Sequence, residues 1–411
     1  PFEDMLMADA FVNFRQILED VTLKPAMGQY LDMANNGRGN TSGTVLANEN
    51  YAREVLQLFS IGTTMLNQDG TQQIVNGQPV PTYNQATIGE FAKVFTGWTY
   101  APTTPGAPVV WGSYINNTTS PMMPYQPMHD ITQKTLLAAS LPPAKTVLAA
   151  GQYATQDLKD GLDNIFYHPN VGPFISKQLI QHLVKSNPSP AYVGRVAAVF
   201  NDNGQGVRGD MKAVVTQILT DIEARANDAG GADQPTDGHM QEPAVFLAGL
   251  TRAFGGTITD AAYFGQDLAT MGEDIFSAPS VFNYFSPGYR VPQGWFNTPG
   301  VSLGGPEFQI YTAATSVYRA NLVNGLFSAY NNPVQTYGPG FTVDLTPYVG
   351  LVGNPSTLVA ALDLALTHGT MPSALKQIVT TAVQQETGGA VRQVQTAVYL
   401  IISSNYYNVW H

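Results

Sequence analysis

Between residues 48 and 62 the sequence reads NENYAREVLQLFSIG, which crowds Glu49, Asn50, Arg53 and Glu54 into adjoining helical turns. A carboxylate beside a guanidinium can serve as a general acid or base, ligate a metal, or leave the arginine to hold an anionic substrate. At 100° per residue Arg53 falls about 40° from Glu49 and Glu54 about 140° from it, with Tyr51, Val55, Leu56 and Phe59 on the opposite arc. Glu49 and Arg53 are thus an i,i+4 pair in the favourable order, with the acid at the positive helix end. The same arrangement suits a capped helix with a solvated face, where an exposed pair contributes ~0.3–0.5 kcal/mol. Of the two roles the structural one carries more weight, because catalysis needs a converging partner. Arg53 neighbours two acids at the edge of an apolar face, so it is expected to be partly buried and bonded beyond Glu49.

The best partner is the string MHDITQK, which supplies His129, Asp130 and Lys134. An imidazole oriented by a carboxylate can act as a base, or bind a divalent metal together with a distant acid. Adjacent side chains diverge, however, so one ion is not expected to take both His129 and Asp130. Asp130 also suits the cap of a short helix, and His129 a local hydrogen bond. The catalytic candidates are therefore Glu49, Arg53, Glu54, His129 and Asp130, with no cofactor specified and the question of a metal left open.

Other chemistry-bearing residues read as structural. His168 stands before Pro169 at a helix end, and His182 lies within a helix. The turn from Asp202 to Gly206 lacks the alternating acids and closing Glu of a calcium loop, and Asp210 after it is a natural helix cap. Phe282, Tyr284, Phe285, Tyr289 and Trp295 could form a sugar-stacking platform, but core or interface filling is the stronger reading. No G-x-S-x-G elbow, phosphate loop or H-E-x-x-H helix is found, and the chain is read as having no dinucleotide fingerprint.

The elements that must position these residues follow from apolar spacing. Steps of three and four through Met7, Phe11, Phe14, Leu18 and Val21 predict one helix over 5–21. A second runs over 48–61 with Asn48 as cap and Gly62 as stop, and a third over 85–96 ends at Gly97. Between them Asp69-Gly70 and Asn76-Gly77 predict a small hairpin or meander. Residues 99–150 hold many prolines and no period, which reads as a functional or interface loop. Further helices are predicted over 155–168, 171–185, 190–200, 211–225, 241–254, 306–327, 355–367, 372–386 and 389–403, with an aromatic, proline-rich loop over 277–300. The expected fold is mainly α. It is read as one compact multi-helix domain over 1–411, with a small β-hairpin or meander and a long irregular loop.

Composition narrows the function classes. Charged residues are 12% of the 411, about half the usual ~25%, so the surface is polar but weakly charged. A net charge of -11 and the lack of a basic run disfavour nucleic acid. The absence of cysteine excludes disulfides, zinc thiolates and cysteine nucleophiles. No apolar run approaches the ~18 residues of a membrane span. The opening PFEDMLMADAF lacks the basic start and apolar core of a signal peptide.

FVNFRQILEDVTLKPAMGQYLDM, NENYAREVLQLFSIG, FAKVFTGW, HDITQK, FYHPNVGPFISKQLIQHLV, NDNGQGVRGDMKAVVTQIL, SAPSVFNYFSPGY, PEFQI and AVYLIISSNYY follow one another along the chain. In that order they resemble the bacterial family catalogued as domain of unknown function 1800. The resemblance implies no particular reaction. It implies export, hence a periplasmic, cell-surface or secreted location, and about a hundred further helical residues ahead of the segment at which this sequence begins. The expected function is association, as a subunit or scaffold of a surface or periplasmic assembly. The expected partner is another protein, a second copy, or a retained N-terminal fragment. The alternative is an extracytoplasmic hydrolase or lyase acting on a surface polymer through the Glu/Arg/His/Asp candidates.

Overall fold

The computed structural model describes residues 2–40, 42–113, 117–226, 236–292 and 302–410. The backbone falls into two compact units, Pro1–Leu183 with Pro188–Gly231, and Val184–Asn187 with Ala232–His411. Helices dominate both, and the strands are short antiparallel pieces.

The first unit carries α1 (Phe2–Ala8), α2 (Phe14–Leu23), α3 (Pro25–Tyr30), α4 (Asn50–Gln57), α5 (Gln85–Val94), α6 (Ala154–Phe166), α7 (Val171–Leu183), α8 (Pro190–Asn201) and α9 (Met211–Thr220). The continuous helix expected over 5–21 is instead α1 and α2 with a turn between them. The break is local chemistry: Asn13 adopts an extended backbone and its side chain accepts from the Arg15 amide, which starts a new helix. Asn13 Nδ2 also donates to the Arg208 carbonyl, and the Phe14 amide to that of Gly209, so the break is anchored far along the chain.

In α4 the cap position is Glu49, while the Asn48 side chain accepts from the Asn50 amide one step earlier. Tyr51, Val55 and Leu56 are buried, and Tyr51 meets Phe95 edge-on at 4.9 Å. The hairpin forms as its turn residues require: Ile74–Val75 pairs with Gln78–Pro79, and Asn76 and Gly77 have φ of 51° and 77°. The described part of 99–150 is tied down by two short ladders. Trp98–Thr99 pairs with Met123–Pro124, and Lys134–Thr135 with Val147–Leu148. Gly97 allows this closeness, since its φ is 78° and a Cβ there would lie 2.8 Å from the His129 backbone nitrogen. The residues that follow α5 are thereby locked beside His129.

The second unit carries α10 (Pro243–Ala253), α11 (Ala261–Thr270), α12 (Ala313–Ser328), α13 (Thr346–Val349), α14 (Pro355–Thr367), α15 (Ser373–Gln385), α16 (Ala390–Ile402) and α17 (Asn405–Asn408). Its core joins Phe246, Leu250, Phe327, Leu362, Val398 and Ile401. A three-stranded sheet places Phe341–Asp344 between Thr257–Ile258 and Val334–Tyr337. The pair His239–Met240 and Val409–Trp410 closes the chain end onto the start of this unit.

Candidate functional site

The predicted residues separate into an open groove and a sealed interior. Glu49 and Asp130 line the same groove of about 820 Å3 with Arg38, Glu90 and Lys93, and Val45, Leu46 and Ile131 form its apolar part. Glu49 Oε2 accepts from Arg53 Nη2 at 3.0 Å and from Gln85 Nε2 at 2.7 Å. Arg53 Nη2 reaches Gln85 Oε1 at 3.4 Å. Arg53 is therefore bonded beyond Glu49, yet its side chain stays 39% exposed, so this is a partly wet latch. Asp130 Oδ1 accepts from the amide and hydroxyl of Thr132, as an Asx turn does. Glu90 pairs with Lys93 at 2.6 Å and accepts from the Thr135 amide at 2.9 Å.

Glu54 points elsewhere. It is buried, its Oε2 has no hydrogen-bond partner, and desolvation raises its pKa against the opposing charge of Arg53. The nearby Tyr83 hydroxyl is also buried without a partner.

His129 lies wholly inside the unit. Its Nε2 is 3.0 Å from Asp157 Oδ2 and its Nδ1 is 2.9 Å from the Thr96 carbonyl. Both partners are acceptors, so the ring forms both bonds only with a hydrogen on each nitrogen. Lys134 Nζ meets the same Asp157 oxygen at 2.6 Å and donates to the carbonyls of Asp130 and Thr132. Gln152 Nε2 donates to Asp157 Oδ1. Burial alone would raise the Asp157 pKa, but the bonds from His129 and Lys134 outweigh it and hold it below the usual carboxylate range. Asp157 occupies the first turn of α6, where the helix also favours an anion. Nothing in the string TQDLKDGLDNIF distinguishes Asp157 from its acidic neighbours, so sequence reading passes it over.

His168 is fully buried, with Nδ1 accepting from the Asn170 amide and Nε2 unpartnered; burial, aided by Arg208, lowers its pKa to about 4. His182 is exposed on α7. Asp202 and Asn203 spend their side-chain oxygens on the amides of Gly204, Gly206, Gln205 and Val207, which explains the turn without calcium. Gly204, Gly206 and Gly209 do match the G-x-G-x-x-G spacing that the sequence reading passed over. They follow helix α8, and a dinucleotide site needs a strand there. Phe285 is buried and Phe282 exposed, while Trp295 and the rest of 293–301 lie outside the described residues.

Sequence reading also missed a polar cluster in the second unit. His239, Glu273, Glu307 and Arg319 are buried there, and Glu242 caps α10 beside them. Glu273 accepts from the Ala244 amide at 2.8 Å and shares a hydrogen bond with Glu242. Burial first, with Glu242 adding to it, pushes the Glu273 pKa up to about 7. Arg319 stacks over Phe246 and Tyr311, and burial brings its pKa down to about 10. Of these five residues only Glu307, in PEFQI, falls within the family strings, and none stands in a spacing that marks chemistry.

A family model described as a protein of unknown function, DUF1800, matches residues 2–409. The chain belongs to the DUF1800 family. A comparison with curated proteins and one with solved structures each return no match. For this DUF1800 chain the chemistry must therefore be argued from its own side chains. The match encloses the groove, the buried His129 centre and the second polar cluster alike. Among the described residues of this DUF1800 protein, no helix is long and apolar enough to cross a membrane.

Proposed function

We propose that this protein works by association, as a subunit or scaffold of an extracytoplasmic assembly, with its first helix contributing to the surface that meets another protein. One observation carries the reading. No residue of α1 is buried, and Leu6, Met7 and Phe11 are open, Met7 at 77% and Phe11 at 62%. Leaving such side chains in water forgoes roughly 1.5–3 kcal/mol each relative to burial. Grouped apolar exposure of this kind marks surfaces that are covered in use. The low charge density points the same way. So does the orientation of His129, which bonds Asp157 in the interior and faces no carboxylate from 49–54 in an open cleft. The extracytoplasmic placement rests on the family resemblance.

Light scattering on the purified chain, with intact-mass analysis for a bound fragment, tests the reading. Self-association or a retained second polypeptide is expected, and M7D/F11D should abolish it. A monomer at micromolar concentration with nothing bound overturns it.

A second reading, a hydrolase or lyase acting on a surface polymer, is favoured by the groove that Glu49, Glu90 and Asp130 share with Arg38 and Lys93. Cleavage of a cell-surface polysaccharide or peptide polymer, lost in both E49Q and D130N, would select it.

A further inference from the structure

Arg208 is a guanidinium held firmly in place with no acid beside it. Its backbone is pinned from two directions: Asn13 Nδ2 donates to the Arg208 carbonyl at 2.6 Å, and the Gly209 amide to the Phe200 carbonyl at 2.7 Å. Its Nε donates to the Phe166 carbonyl at 3.0 Å, its Nη2 to the His168 carbonyl at 3.1 Å, and its Nη1 to Asn201 Oδ1. All three acceptors are neutral. The group also lies over the rings of Phe166 and Phe200, 5.5 and 5.3 Å from their centroids. These bonds use three of the five hydrogens of a guanidinium and leave one on each terminal nitrogen. Burial brings the Arg208 pKa down to about 10, which keeps it a cation at neutral pH, and the His168 ring beside it is neutral there. Among the described residues the Arg208 charge therefore has no counter-ion.

That side chain lines a cavity of about 950 Å3 within the first unit, bounded by Asn13 at the start of α2, residues 66–73, the end of α6 and the turn after α8. No Asp or Glu lines it among the described residues, although acids outnumber bases by 30 to 19 in the chain. Arg15, the other arginine of the lining, is already matched by Glu19 at 2.8 Å and Asp163 at 2.7 Å. Arg208 is thus the charge left for an entering anion, and its rigid mounting lowers the ordering cost of binding one. Amides fill out the polar lining. Asn67 Nδ2 is bonded to Thr71, Gln73 Nε2 to the Leu66 carbonyl, and Gln68 Oε1 lies 3.5 Å from Asn201 Nδ2. Asn67 Oδ1, Gln73 Oε1 and Gln68 Nε2 have no partner among the described residues, and neither has the Tyr167 hydroxyl. Leu141, Pro142 and the Tyr167 ring supply the apolar part.

We propose that this cavity binds an acidic saccharide, with the carboxylate on Arg208 and the hydroxyls on Asn67, Gln68 and Gln73. A guanidinium matches a carboxylate in shape as well as charge. One uncompensated cation suits one negative charge better than the two of a phosphate. Amides that both give and accept hydrogen bonds suit hydroxyls, which do the same, and an aromatic ring suits the C–H face of a sugar. The volume is at the upper end for a small-molecule site, with room for more than one sugar ring. Binding there requires neither the groove of Glu49 and Asp130, with which the cavity shares no lining residue, nor association through α1.

The test is calorimetry on the full chain with galacturonate and its linear trimer as probes, against galactose and inorganic phosphate at one ionic strength. About one equivalent of either acid should bind, at least about tenfold tighter than galactose or phosphate. A tighter trimer marks the end of a polysaccharide as the ligand, and equal affinities mark the free sugar acid. Q68E sets a carboxylate at an exposed position of the lining and leaves the bonds of Arg208 alone, so it should weaken the acids at least about tenfold. Q384E, the same change at an exposed position of α15, should not. R208Q should abolish binding, with circular dichroism to show that it folds; if it does not fold, Q68E decides. Galactose or phosphate binding as tightly as the acids overturns the proposal, as does unchanged affinity in folded Q68E or no binding of either acid at millimolar concentration.

Discussion

The imidazole of His129 meets the carboxylate of Asp157, twenty-eight positions further along the chain, at 3.0 Å, and both side chains are wholly enclosed. Lys134 completes the group at 2.6 Å from the same oxygen. Sequence reading offers His129 as a catalytic candidate and gives a local hydrogen bond as the other role; in the fold it fastens the described part of the proline-rich segment to α6. With Asp157 neutralised, buried Lys134 loses its closest counter-charge, so D157N should destabilise the chain by roughly 3–5 kcal/mol. Urea unfolding measures this, and a loss under ~1 kcal/mol would contradict it. Because the Asp157 pKa is lowered on folding, its stabilisation is fully present above the unfolded carboxyl pKa and is lost as pH falls through the lower folded value.

His168 supplies a second acid-sensitive element in a different range. Its folded pKa of about 4 lies below the unfolded ~6.5, so between those values the unfolded chain binds the extra proton. Stability should therefore be unaffected by this group above pH ~6.5, fall by about 2–4 kcal/mol as pH drops to ~4, and flatten below. In H168Q this part of the pH slope should vanish. Denaturant midpoints collected from pH 4 to 7 on both chains check it, and an unchanged slope in H168Q counts against the assignment.

Arg53 calls for a smaller effect than its sequence neighbours suggest. Bonded to Glu49 and Gln85 but 39% exposed, it is screened by water on one side. R53A should cost about 0.5–1 kcal/mol, well short of the ~3–5 of a buried pair. Thermal or chemical unfolding distinguishes the two, and raised salt should narrow the difference between R53A and the unaltered chain.

Much of the fold was legible because its signals are local. Asn354 and Pro355 open α14 and its apolar spacing runs on to Thr367, so 355–367 reads from the sequence to the residue. Asn76-Gly77 sets positive φ at both turn positions and makes a hairpin before anything packs on it. The same locality explains how an element can be misread. The apolar steps from Met7 to Val21 continue past Asn13, but the first helix ends at Ala8 and Asn13 caps the next, held by Arg208 and Gly209, which lie far along the chain.

The candidate sites were less legible. Sequence alone determined the family, the dominance of helix, and which residue types were present to do chemistry. It placed Glu49 and Arg53 correctly on one helical face, because an i,i+4 relation is fixed by 3.6 residues per turn. Only the tertiary structure decided that His129 turns to Asp157 and away from Glu49, that Asp130 shares a groove with Glu49, and that His239 comes to stand beside Glu307. Backbone preferences act over a few residues and leave their mark in the string. The meeting of two distant side chains depends on how whole helices pack and which polar groups find partners on burial, and no short stretch of sequence records that outcome.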